Sequence, residues 1–103
     1  MRMTHRIRLF IVFFFSILSN LFAQQIVKGI VFDKKSGETL IGANVVIPNT
    51  GQGTMTDFKG FFQIEVQKLP VEIELSFIGF EKKTIKVEST DAIKVYLSED
   101  KLI

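Results

Sequence analysis

Val71-Glu72-Ile73-Glu74-Leu75-Ser76-Phe77 alternates apolar and polar side chains without a break. In an extended chain, successive side chains point to opposite faces, so Val71, Ile73, Leu75 and Phe77 line one face while Glu72, Glu74 and Ser76 meet water. A helix would scatter the same residues around its circumference. The stretch therefore reads as a half-buried strand, and the rest of the chain repeats its period.

Downstream, Ile85 and Val87 alternate with Thr84, Lys86 and Glu88, and Ile93, Val95 and Leu97 alternate with Lys94, Tyr96 and Ser98. Upstream, Phe62, Ile64 and Val66 oppose Phe61, Gln63 and Glu65, and Ala43, Val45 and Ile47 oppose Asn44 and Val46. The run Ile26 to Phe32 is apolar on both faces. Lys28 shares a face with Ile26, Ile30 and Phe32, which assigns Val27 and Val31 to the interior. About seven short strands without an internal helix predict an all-β fold, and a seven-stranded antiparallel β-sandwich buries the inward residues of both sheets.

Turn chemistry separates the runs. Asp33-Lys34-Lys35-Ser36-Gly37 and Asp57-Phe58-Lys59-Gly60 each place Asp early and Gly late. Asp hydrogen-bonds the backbone just ahead of it, and Gly accepts positive φ, so each segment reads as a tight connection. Gly79 marks a bend after Phe77, Lys68-Leu69-Pro70 ends the strand that carries Phe62, Ile64 and Val66, and Pro48 to Gly53 reads as a looser loop.

The N-terminus obeys different rules. Arg2, Arg6 and Arg8 precede the apolar run Leu9 to Leu18, then Ser19-Asn20-Leu21-Phe22-Ala23 and Gln24-Gln25. This is the layout of a helical secretion signal, residues 1–23, with cleavage expected between Ala23 and Gln24. The polar Ser19-Asn20 pair stops the run short of the ~20 apolar residues a spanning helix needs. Its removal leaves 80 residues, 24–103, with ten lysines against eleven carboxylates. The basic character of the whole chain thus belongs to the signal, and no nucleic-acid partner is expected. The chain has no cysteine, hence no disulfide and no lipid-modified Cys at the processing site. A domain of this size hides only about 60–65% of its unfolded surface, which suits a module resting against something larger.

Beyond residue 23 there is no His, Cys, Arg or Trp; the single histidine is His5. Ser-His and Cys-His nucleophile pairs and His-ligated zinc are thereby excluded. Paired carboxylates remain, but Glu72 and Glu74 face water on one strand, far from the two sides of a cleft that acid-base chemistry requires. Thr54-Met55-Thr56-Asp57 with Asp33 lacks the regular spacing of a calcium loop, and Gly51-Gln52-Gly53-Thr54 lacks the Lys and the helix of a phosphate loop. No cofactor, metal or catalytic residue is expected. Phe58, Phe61 and Phe80 lie at or near turns, where they read either as sandwich rim or as anchors for a protein partner.

Taken in order, Val27-Lys28-Gly29-Ile30-Val31-Phe32-Asp33, Gly37 to Val45, Gly53 to Phe62 and Leu75-Ser76-Phe77-Ile78-Gly79-Phe80 closely resemble the carboxypeptidase regulatory-like domain, a transthyretin-like seven-stranded sandwich. The resemblance spans essentially Gln25 to Ser98. Such domains stand at the mature N-terminus of SusC/RagA-type TonB-dependent outer-membrane receptors of Bacteroidetes, ahead of a plug and barrel. The resemblance therefore implies a periplasmic accessory module of a nutrient importer with protein partners in the cell envelope. Nothing resembling a plug or barrel follows within these residues, so the chain reads as an excerpt of a receptor or as a free-standing binding domain. The same domain type accompanies zinc carboxypeptidases, but no ligand of that enzyme has a counterpart here.

Overall fold

The computed structural model describes residues 7–8, 11–12 and 24–101. The expected signal falls almost wholly outside them. Seven strands form in chain order: β1 Gln25–Asp33, β2 Asn44–Val46, β3 Gly53–Met55, β4 Phe61–Val66, β5 Val71–Ser76, β6 Lys83–Val87 and β7 Ile93–Leu97. They make two sheets, one ordered β4-β1-β7 and the other β3-β2-β5-β6.

Burial follows the sequence alternation. Val27, Val31, Val45, Phe62, Ile73, Leu75 and Leu97 are fully buried, and Ala43, Ile64, Val66, Val87 and Val95 complete the layer between the sheets. Val71, Phe77, Ile85 and Ile93 pack partly buried against it. Their strand neighbours Lys28, Glu72, Lys86 and Lys94 are exposed. The two-residue period places the apolar set of each sheet toward the other sheet, and burying those side chains drives the closure.

One pairing departs from an antiparallel sandwich. β1 runs antiparallel to β4, with Ile30 opposite Phe61, but parallel to β7, with Ile30 opposite Lys94 and Phe32 opposite Tyr96. Alternation sets which face a side chain takes and is blind to strand direction, so this pairing is invisible in the pattern. In the second sheet every pairing is antiparallel.

β3 corrects the reading of Pro48 to Gly53 as a loop throughout. Gly51, at φ 72°, does take the left-handed conformation. Gly53 instead opens β3 opposite Val46, where a Cβ would lie 2.8 Å from Val46 Cγ1. Close strand approach, not positive φ, requires that glycine.

Candidate interaction surface

The strand directions place three of the six connections at one end of the sandwich, together with the end of β7. Asn44, at the start of β2, is opposite both Met55 at the end of β3 and Ser76 at the end of β5. Lys34 N donates to Leu97 O at 2.9 Å, bringing the ends of β1 and β7 together, and Glu81 N donates to Ser98 O at 2.8 Å across the sheets. The turns after β1, before β4 and after β5, with the stretch after β7, therefore share a pole.

Each turn is pinned from within. Asp33 Oδ1 accepts from Lys35 N at 2.9 Å, and the Asp33 carbonyl accepts from Gly37 N at 2.8 Å, with Gly37 at φ 76°. Asp57 Oδ1 accepts from Lys59 N at 2.9 Å and Phe61 N at 3.0 Å, and the Asp57 carbonyl accepts from Gly60 N at 2.9 Å. Gly60 also lies tight against Thr39, whose Cβ would be 2.6 Å from an added methyl. Phe80 N donates to Phe77 O at 3.0 Å around Gly79, at φ 85°, and the two rings meet edge to face at 5.6 Å. Of the expected cleavage pair, Ala23 lies outside the described residues, and Gln24 is exposed just ahead of β1.

The oxygens considered for a cation do not converge. Thr56 turns inward, where its hydroxyl donates to Leu40 O at 2.6 Å and accepts from Ala43 N at 2.8 Å. Asp57 and Asp33 spend their carboxylates on their own turns. Among the described residues, no group of three His, Cys, Asp or Glu is placed to hold a metal. Glu72 and Glu74 share the outer face of β5, and Glu74 pairs with Lys82 at 3.3 Å.

Sequence reasoning missed how the sandwich closes its sides. Lys83 Nζ, on the edge strand β6, donates to Tyr96 O of the facing edge strand β7 at 3.2 Å. On the opposite side Gln52 Nε2, just before β3, donates to Glu65 O of edge strand β4. A shallow groove of about 630 Å³ follows the first seam past Lys34, Glu81, Lys83 and Tyr96. A side chain reaching across each seam occupies a carbonyl that an added strand would need. On the outer face of the three-stranded sheet, Phe32 and Tyr96 stack on each other at 5.2 Å and 19°. Their ring faces are turned toward one another rather than outward.

Two sheets face to face, with turns at both poles and side chains reaching across the seams, define an all-β sandwich domain. The chain belongs to the CarboxypepD_reg-like domain family, whose profile matches residues 27–103. It is similar to the TonB-dependent receptor SusC of Bacteroides thetaiotaomicron, with 46% identity over 80 residues, 77% of this chain and 8% of the receptor. TonB-dependent receptors P3 and P26 of Formosa agariphila match at 34% over 74 residues and 37% over 76 residues, covering 72% and 74% of this chain and 7% of each receptor. The chain thus spans less than a tenth of the length of these relatives, and the match lies in their N-terminal region. Among solved structures, a type II cohesin-X-dockerin complex from Acetivibrio cellulolyticus superposes with a TM-score of 0.55 at 19% identity, over 72% of this chain and 52% of that one. That likeness is one of fold alone.

Proposed function

We propose that this chain is a non-catalytic accessory domain of the cell envelope, acting by protein contact as the N-terminal part of a TonB-dependent outer-membrane nutrient receptor. Residues 1–23 are its export signal and 24–103 the working domain, facing the periplasm. Its partners are proteins, the plug and barrel of its receptor first among them. The observation that carries this reading is the 46% identity to a TonB-dependent receptor over 80 residues. A chemical role finds little support, because the carboxylates of the turns are engaged by backbone amides and the mature part has no His or Cys.

The test is replacement. The matched stretch of the Bacteroides receptor is deleted, or exchanged for residues 24–103 of this chain, and import by the receptor is measured in cells. The expected result is loss of import on deletion and recovery with the exchanged domain at equal receptor levels. Import unchanged by the deletion, or no recovery by a folded replacement, would overturn the reading.

A further inference from the structure

The large apolar side chains left in water are not spread evenly. Ile78 is 94% exposed, Phe58 74%, and Ile41 and Met55 58% each, against 43% for Tyr96, 40% for Ile26 and 36% for Val46. Within residues 24–101 the four most exposed all belong to the pole that carries the turns after β1, before β4 and after β5. Ile78 tips the turn after β5, Phe58 tips the turn before β4, Met55 ends β3, and Ile41 lies in the loop before β2. Met55 reaches toward that loop, its Cε 3.7 Å from where a side chain on Gly42 would begin. At the opposite pole, the connections 47–52, 67–70 and 88–92 carry no exposed large apolar side chain among the described residues.

None of the four belongs to the core between the sheets. A residue as exposed as Ile78 contributes no packing, and the turns under Phe58 and Ile78 are fixed by the hydrogen bonds already described. The tips are therefore presented in one arrangement, and binding through them costs little ordering entropy.

The chain also leaves the sandwich at this pole. β7 ends at Leu97, and Asp100 N donates to Gly79 O at 2.9 Å, beside Ile78. In the TonB-dependent receptors the matching stretch is N-terminal and makes up 7–8% of the polypeptide, so their remaining residues issue from the corresponding end. Four side chains make a patch far below the roughly 800 Å² per partner of a stable free interface. A tether that raises the local concentration of the partner to the millimolar range makes so small a patch sufficient.

We propose that the pole bearing Ile41, Met55, Phe58 and Ile78 is the surface by which this domain seats on the receptor body that follows it in the same polypeptide. This rests on the receptor reading above. A lipid surface fits less well. Lysines and carboxylates alternate around the tips, Lys35 near Asp33, Lys59 near Asp57 and Lys101 next to Asp100, without the one-signed basic face that anionic lipid attracts.

The test uses the exchanged receptor in its membrane, with a photo-crosslinking phenylalanine derivative placed singly at Ile78, Phe58, Asn49, Lys28 or Lys86. Ile78 and Phe58 are expected to give several-fold more crosslink to the receptor body than the other three positions. The double substitution Phe58→Ser and Ile78→Ser, on exposed tips, should leave the circular dichroism spectrum and melting temperature unchanged and release the domain to faster proteolysis at its C-terminal junction. Crosslinks concentrated at Lys28 or Lys86 would overturn this surface while the receptor reading stands. Crosslinks from Ile78 to lipid alone would overturn it in favour of a membrane contact. Equal, low yields at every position, with import insensitive to deleting the domain, would overturn both.

Discussion

The hydroxyl of Thr56 donates to the carbonyl oxygen of Leu40 at 2.6 Å, and both residues are buried. The same hydroxyl accepts from Ala43 N at 2.8 Å, so one side chain satisfies two backbone groups of the loop entering β2. That loop carries Ile41, and Gly42 N is held in turn by Thr56 O at 3.1 Å. The segment between β3 and β4 thereby fixes the shape of a loop more than a dozen residues earlier.

Thr56→Val keeps the volume and removes both bonds. Leaving a buried N–H and a buried C=O without partners costs about 2–3 kcal/mol. Urea denaturation should show that loss, and Thr56→Ser, which retains the hydroxyl, should recover most of it.

Gly29 sits where β1 meets β7, and an added Cβ would lie 2.5 Å from Ile93 O and 2.9 Å from Phe62 Cε1. Neither backbone nor core ring can withdraw cheaply. Gly29→Val should cost about 3 kcal/mol. Gly37→Ala, at φ 76° with open space around it, carries only the conformational penalty of about 1 kcal/mol. Equilibrium denaturation of the two variants, set side by side, checks the order.

Leu75 is fully buried in β5, opposite Val45 of β2. Leu75→Ala should cost about 2–5 kcal/mol. A domain of about 80 residues has roughly 4–12 kcal/mol in all, so the variant is expected to populate the unfolded state measurably at 37 °C. Thermal unfolding followed at 218 nm by circular dichroism reads this directly.

The side chains that stitch the seams protect the edges more than they hold the fold. Lys83→Ala and Gln52→Ala should each change stability by no more than about 1 kcal/mol. Together they free the Tyr96 and Glu65 carbonyls, and the double variant should self-associate faster than the parent, as light scattering at fixed concentration will show.

Cleavage after Ala23 is checked by the intact mass of the exported protein. The expected chain begins at Gln24, and an N-terminus within Leu9 to Leu18 would contradict it.

What the sequence could convey was facing, not partnership. β4, β5, β6 and β7 are legible, because burying one side of a pleated ribbon writes a two-residue period into it; β1 is apolar on both faces, and Lys28 alone marks Val27 and Val31 as inward. The parallel union of β1 and β7 left no trace, since alternation is the same read in either direction. β3, with three residues, is too short to show a period, and its Gly53 looked like a loop signal. In the sequence Thr56 stands among candidate ligand oxygens, because nothing there says that its hydroxyl turns inward. Of the aromatic residues at turns, Phe61 and Phe80 are half-buried and behave as rim, whereas Phe58 stands out in water, and only the fold separates them.

Residues 25–97 carry all seven strands, and the proposed role is one of protein contact. Amide hydrogen exchange, compared between the chain alone and the receptor that carries it in place of its own matched stretch, tests that most directly. The prediction is slow exchange across β1 and β5 in both, with further slowing in the receptor confined to the amides around Ile41, Phe58 and Ile78. Fast exchange throughout the isolated strands, or identical protection in the two settings, would contradict it.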